Sequence, residues 1–257
     1  NLNIVNFMNS IDLDSPFHNT TTNFFRTLVI GDSVRTIPAG SFYGRSSIDG
    51  NVVIPNSVTS IGSWAISHCS GIDSLYIGNG VTTIGSEAFS GCTGLIYLHY
   101  NARNLNMANF MNSNNSYSPF YNTATNNFRT LVIGDSIRVI PDSCFYGRSS
   151  IDSLYIGSGV TSIGDYAFHD CSSIHHLVIP NNVTSIGSSA FYGCSGIDSL
   201  YIGSEVTTIG DYAFNGCTWL KYLHYNARNL TTENFMDFNS SGSPFYNTTT
   251  SNFSSLT

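Results

Sequence analysis

The sequence is poor in charge. Only 10% of its 257 residues are Asp, Glu, Lys or Arg, one lysine occurs (Lys221), and the formal net charge is −7. Nucleic-acid binders cluster Lys and Arg to neutralise phosphates; here the arginines stand singly, which excludes that partner. Long apolar runs are missing too. No stretch approaches the roughly 18 residues of a membrane-spanning helix, and no signal-peptide pattern opens the chain. The six cysteines form no Cys-x-x-Cys, so zinc-clip and dithiol-redox readings lose their support. Low charge does not imply disorder, because Leu, Ile, Val and Phe are plentiful.

What the chain has in abundance is repetition. Residues 154–174 read "LYIGSGVTSIGDYAFHDCSSI", 177–197 read "LVIPNNVTSIGSSAFYGCSGI", and 200–220 read "LYIGSEVTTIGDYAFNGCTWL". Apolar positions Leu28, Val52, Leu75, Leu98, Leu131, Leu154, Leu177, Leu200 and Leu223 follow each other at 23 residues, with one interval of 24 and one of 33. Within a unit the "I-x-x-L-x-I" stretch alternates with period two, predicting a short strand with Leu75 and Ile77 inward and Tyr76 outward. The "SEAF" segment predicts a single helical turn, and Gly85, Gly164, Gly187 and Gly210 mark a chain reversal. One unit cannot bury its apolar stripe alone; stacked units can, with columns of identical side chains. The column Phe42, Phe89, Phe145, Phe168, Phe191 and Phe214, with Ile66 as its one substitute, is the expected spine of the core.

"VTSIGDYAFHDC" preceded by "LYI" closely resembles the BspA-like leucine-rich repeat, whose units read roughly L-x-x-I-x-I-P-x-x-V-x-x-I-G-x-x-A-F-x-x-C. The likeness runs over essentially the whole chain. It implies a right-handed leucine-rich-repeat solenoid, mainly β with short helical turns, carrying a parallel sheet on one face. It also implies a surface-exposed or secreted protein for adhesion or partner binding, with no shared catalytic residues and no cofactor or metal.

The expected organisation is one solenoid of about nine stacked units. It comprises a partial long unit (1–27), ordinary units (28–97), a long unit (98–130), ordinary units (131–222) and a long unit (223–255). The Asn-rich long units depart from the family pattern, and their surplus residues are expected to loop outward. Neither end reads as a capping unit: "NLNIVNF" starts partway through a long unit and "NFSSLT" stops where a new one would begin. The chain is therefore expected to be a window of a longer protein, or to self-associate through its ends into a fibre.

The repeat itself accounts for several candidate sites. Cys69, Cys92, Cys171, Cys194 and Cys217 share one repeat position, while Cys144 takes the place of Ala88. Stacked thiols point the same way, which suits a buried apolar ladder better than disulfides. "GDSV" (31–34) and "GDSI" (134–137) look like a hydrolase nucleophile block but fall on a turn that recurs in other units, so no enzyme is expected. Tyr76, His99, Tyr155, His176, Tyr201 and His224 are placed on the exposed strand face. Arg129, Asp152, Asp198 and Lys221 run in a neighbouring row of alternating sign, together with His175. This face is the candidate binding site for a protein or glycan ligand. Asn-x-Ser/Thr acceptors occur at Asn19, Asn114, Asn182, Asn229, Asn239, Asn247 and Asn252, a number near chance for this composition, with all but Asn182 in long units.

Overall fold

A computed structural model describes residues 26–105, 110–112, 115–121, 127–231, 235–237, 239–246, 248 and 255–256. They fall into two compact units. The first takes in the chain to Leu105 together with Ser113–Phe128; the second takes in Asn106–Asn112 and everything from Arg129 onward.

The first unit holds β1 (Thr36–Ile37), β2 (Gly50–Ile54), β3 (Ser60–Ile61), β4 (Ile72–Ile77), β5 (Thr83–Ile84) and β6 (Tyr97–Tyr100). They form two parallel ladders, a wide one in the order β2-β4-β6 and a narrow one in the order β1-β3-β5. The second unit repeats the plan. Its wide strands are β7 (Thr130–Ile133), β9 (Ser153–Ile156), β11 (His176–Ile179), β13 (Ser199–Ile202), β15 (Tyr222–Tyr225) and β16 (Ser255–Leu256). Its narrow strands are β8 (Val139–Ile140), β10 (Ser162–Ile163), β12 (Ser185–Ile186) and β14 (Thr208–Ile209). Register is kept residue for residue, as in Leu177↔Leu200↔Leu223 and Ile163↔Ile186↔Ile209. The fold is a parallel-sheet solenoid, and the 23-residue period of the sequence is the length of one coil.

The alternation within strands sorts the side chains as expected. Leu75, Ile77, Leu177, Ile179, Leu200 and Ile202 are buried, and the residues between them face outward. Leu28 departs from the pattern. It lies outside any strand and is half-buried; close by, the Asp49 N–H donates to the Arg26 carbonyl at 2.9 Å.

The predicted helical turn is absent: among the described residues no helix forms. In its place the chain runs through a row of turns in which alternate N–H groups leave the coil. Ser143, Phe145 and Gly147 donate to the carbonyls of Asp165, Ala167 and His169 in the next coil, and Tyr166, Phe168 and Asp170 donate to Ser188, Ala190 and Tyr192. A helix would turn these groups back on itself. The backbone reaches this conformation by placing Glu87, Ser143, Tyr166, Ser189 and Tyr212 at φ of 51–58°. These are left-handed values unusual outside glycine. Among the described residues eight such residues occur, one or two in each ordinary coil except that at 38–48, where Gly40 and Gly44 take these places, so the ladder to the next coil must compensate a repeated local cost.

The glycines after the narrow strands act differently from the expectation. Gly85, Gly164, Gly187 and Gly210 have no left-handed φ; a Cβ on any of them would lie 2.3–2.5 Å from atoms of the preceding coil. They permit close stacking, not chain reversal.

The core is the column of stacked rings. Phe145–Phe168, Phe168–Phe191 and Phe191–Phe214 have centroids 5.2, 5.1 and 5.5 Å apart with planes within 13° of parallel. Ile66 occupies its slot fully buried, as the sequence implied. The long units do not simply loop outward. In the first unit Phe120 stacks on Phe89 at 4.8 Å, and the Phe89 N–H donates to the Pro119 carbonyl. In the second unit Phe245 stacks on Phe214 at 5.0 Å, with the same bond from the Phe214 N–H to Pro244. Phe110 meets Phe145 edge-on at 6.2 Å. The two long units with described aromatics thus supply their own rings to the spine, because a break in the column would leave a neighbouring ring uncovered.

Candidate binding face

The strand face follows from the alternation. With Leu and Ile committed to the interior, the intervening residues have nowhere to go but outward. Tyr155 and Tyr222 are 55% and 53% exposed; His176, His224, Arg129, Asp152 and Lys221 are exposed as well, while Tyr76, His99, Tyr201 and Asp198 are half-buried. Stacking accounts for much of that partial burial. Tyr201 lies flat on His224, centroids 4.8 Å apart and planes 7° from parallel. Tyr76 is tilted against His99 at 5.8 Å and against Tyr97 at 5.3 Å. Burial first, then the adjacent Tyr76 hydroxyl, raises the Tyr97 phenol above its ordinary pKa.

The row of alternating charge is only partly an ion-pair ladder. Arg129 and Asp152 approach to 3.7 Å, and Arg26 and Asp49 occupy the same relation at 3.1 Å in the first unit. Asp198 lies 3.2 Å from the Nδ1 of His176, while the His175 ring faces the Gly196 carbonyl at 3.2 Å. Exposed pairs of this kind contribute roughly 0–1 kcal/mol each.

The cysteines are all free and buried. Each thiol in the repeat slot donates to a carbonyl of the coil before it. Cys69, Cys92, Cys171 and Cys194 reach Phe42, Ile66, Phe145 and Phe168 at 3.1, 3.2, 3.3 and 3.1 Å, and Cys217 reaches Phe191 at 3.6 Å. Burial pushes the Cys69 and Cys171 thiols up to about 12 and moves the other four in the same direction. Such thiols are poor nucleophiles.

Sequence reasoning treated the arginines as scattered and missed two. Arg45 and Arg148 occupy the cysteine slot of the coils at 42–48 and 145–151, and both are fully buried. The signal was present in the register: "FYGRSSI" stands where other coils read "FYGCSGI". Arg148 donates from Nε to the Met111 carbonyl at 2.5 Å, and burial lowers its guanidinium to about 10. A second row of rings on the turn side also escaped prediction. His169 is sandwiched between Tyr146 and Tyr192 at 4.6 and 4.7 Å.

The hydrolase-like "GDSI" is a turn. Asp135 Oδ1 accepts the N–H and the hydroxyl of Ser158 in the next coil, at 2.8 and 3.0 Å. Of the sequons, Asn182, Asn229 and Asn239 are exposed, and the Asn182 amide donates to the Ser158 carbonyl at 2.6 Å. Asn19, Asn114, Asn247 and Asn252 lie outside the described residues. Among the described residues no helix is long and apolar enough to cross a membrane.

A coil of about 23 residues with one wide strand, one narrow strand and a buried Phe and Cys defines a leucine-rich-repeat solenoid. The family described as BspA type leucine rich repeat region, in six copies, matches residues 13–118 and 116–241, and the chain belongs to it. No curated protein matches the sequence. The fold is similar to that of a leucine-rich repeat protein from Bacteroides ovatus ATCC 8483, with 22% identity over 76% of this chain and 71% of that one, at a TM-score of 0.37. It is also similar to a T. pallidum leucine-rich repeat protein, at 24% identity, 68% and 69% coverage and a TM-score of 0.43. A leucine rich cell surface protein from Faecalibacterium prausnitzii A2-165 is similar at 21% identity, with 77% and 59% coverage and a TM-score of 0.41.

Proposed function

We propose that the protein is a non-enzymatic binding module, displayed on the cell surface or secreted, that engages a partner across its exposed strand face. The observation that carries this reading is the outward row itself. The coil requires only that outward residues be tolerated on a strand; Val53, Val132 and Val178 meet that need in some coils, while others place Tyr, His, Arg or Asp there. Tyr and Arg are the side chains favoured as anchors at interfaces, where a rigid ring or fork loses little freedom on binding. Family membership supports partner binding, and the surface placement is the one the repeat resemblance implies.

The test is binding of the purified chain to immobilised extracellular-matrix proteins and glycans, compared with the Tyr155→Ala and Arg129→Ala variants. Binding lost in these variants, with melting temperature unchanged, supports the face. Binding retained in both, or no binding to any surface, refutes it. Long uniform filaments in electron micrographs would favour instead a structural role in an extracellular fibre.

A further inference from the structure

One stretch of the strand face occurs twice, and its chemistry is more specific than the rest. In the first unit, Asp32, Asn56, Ser57, Tyr76, His99 and Asn101 line a groove of about 580 Å³, inside the range of about 300–1,000 Å³ typical of ligand clefts. The Ser57 hydroxyl is buried there with no hydrogen-bond partner, an arrangement that costs free energy unless something else completes it.

Four members of this set return in the second unit, without Asp32 and Ser57. Pro55-Asn56, Tyr76 and His99-x-Asn101 stand on three successive coils, and Pro180-Asn181, Tyr201 and His224-x-Asn226 repeat them in the same order. Some neighbours differ between the two copies: Asn79-Gly80 stands where Ser204-Glu205 does, Gly94 where Trp219 does and Ile96 where Lys221 does. The Asn members also serve the coil, since Asn56 Oδ1 and Asn181 Oδ1 accept the N–H groups of Asn79 and Ser204 in the next coil at 2.9 and 3.1 Å. In the second copy its members are already joined. The Tyr201 hydroxyl donates to Asn181 Oδ1 at 3.2 Å, and the Asn226 amide donates to the Tyr201 hydroxyl at 3.4 Å. The result is a flat Tyr–His platform edged by neutral amides.

We propose that each copy of this Tyr–His–Asn set is a subsite for a neutral saccharide. The inference rests on the reading of the strand face as a binding surface and names the chemistry of what binds. A ring face, electron-rich above its plane, receives the slightly positive C–H edge of a pyranose. Amides and a hydroxyl, each both donor and acceptor, match sugar hydroxyls. In the first copy the carboxylate of Asp32 lines the groove while the nearby Arg35 guanidinium is engaged by the Asp32 and Ser57 carbonyls at 3.4 and 3.3 Å, which favours a neutral ligand over an acidic glycan or a phosphate.

The test is a titration of the chain with cellotetraose, chitotetraose and lacto-N-tetraose as neutral probes and sialyllactose as the acidic control, followed by calorimetry and by the imidazole proton resonances. At least one neutral probe is expected to bind saturably at two sites per chain and to shift His99 and His224. Tyr76→Ala should reduce the stoichiometry from two to one, Tyr76→Phe should leave it at two, and Tyr76→Ala/Tyr201→Ala should weaken binding more than tenfold. Tyr192→Ala, in the row of rings on the turn side, should bind as the unaltered chain does. Failure of every neutral probe, binding of sialyllactose alone, or undiminished binding by the double variant would overturn the proposal. The broader reading is judged separately, because it turns on Tyr155→Ala and Arg129→Ala with matrix proteins.

Discussion

Two coils of the second unit differ at one buried position, and the difference shows what that position is for. In the coil at 164–174 the slot holds Cys171, whose thiol donates to the Phe145 carbonyl in the coil before. In the coil at 141–151 it holds Arg148, which reaches the Met111 carbonyl of the long unit before it. There the backbone N–H of Phe110, whose ring meets Phe145 edge-on, faces the Cys144 thiol. The slot delivers a donor to the layer beneath. A short thiol suffices over an ordinary coil, and a long guanidinium spans the altered spacing over a long unit. Arg45 sits at the same place in the first unit's coil at 42–48, again following a long unit in sequence.

The scale for that comparison is set by the residue both kinds of coil share. Phe168→Ala removes a ring stacked on both sides, and stability should fall by about 3–5 kcal/mol in urea unfolding. A loss below about 1 kcal/mol would show that the ring column is not the core. Next comes the substitution that makes the two coils alike. Arg148→Cys opens a void and leaves the Met111 carbonyl without its donor, so a loss of about 2–4 kcal/mol is expected. Removing a buried charge returns part of its desolvation cost, which keeps this below the Phe168 value. Stability equal to the unaltered chain would break the assignment of Arg148 as the longer donor.

The two slots should also respond to alkali with opposite sign. Cys171 keeps its proton to about 12 in the folded chain, against 9.0 ordinarily, so the unfolded state loses that proton first. Its contribution is fully present below pH 9 and is lost as pH rises toward 12, at up to about 1.4 kcal/mol per pH unit. Arg148 is lowered to about 10 from 12.5, so between those values the unfolded state holds the extra proton and stability rises with pH. Urea unfolding at pH 8, 9, 10 and 11 checks this. Cys171→Ala should flatten the alkaline decline and Arg148→Met should steepen it above pH 10; parallel profiles would contradict both assignments.

The coil length, the strand positions, the ring column and its Ile66 substitute were all readable from the sequence, because each is a periodic demand made equally of every unit. What escaped reading depends on contacts between coils. "SEAF" has good local helix propensity, but its N–H groups are claimed by the coil above, and tertiary pairing overrode the local preference. The glycine after each narrow strand was assigned to the right place for the wrong reason, since close approach of a neighbouring coil leaves no mark in a single unit. Arg148 looked like one more isolated charge until the register set it in line with the cysteines. On the strand face, alternation assigns side chains to the outward side, where Tyr155, His176 and His224 are exposed and Tyr76, His99 and Tyr201 are half-buried. It gave no means to tell that Asp198 would take His176 and not His175, because that depends on side-chain reach across strands.

The smallest effects on stability belong to the face, and they separate its role from that of the interior. Asp152 and Arg129 form an exposed pair at 3.7 Å, so Asp152→Asn should change stability by about 0–1 kcal/mol, and less in high salt. Tyr155 is more than half exposed on β9, between Val132 and Val178 in the outward row. Tyr155→Ala removes little buried area and should cost no more than about 1 kcal/mol. The interior substitutions would act on binding only by unfolding the chain, so their effect should vanish when binding is measured well below the melting temperature. The face substitutions should do the reverse, leaving the melting curve in place while weakening binding. Measuring melting temperature and partner affinity on the same set of variants resolves the two. If Tyr155→Ala shifted the melting temperature as far as Phe168→Ala does, the strand face would be part of what holds the coils together, and the division between a uniform interior and a variable binding surface would fail.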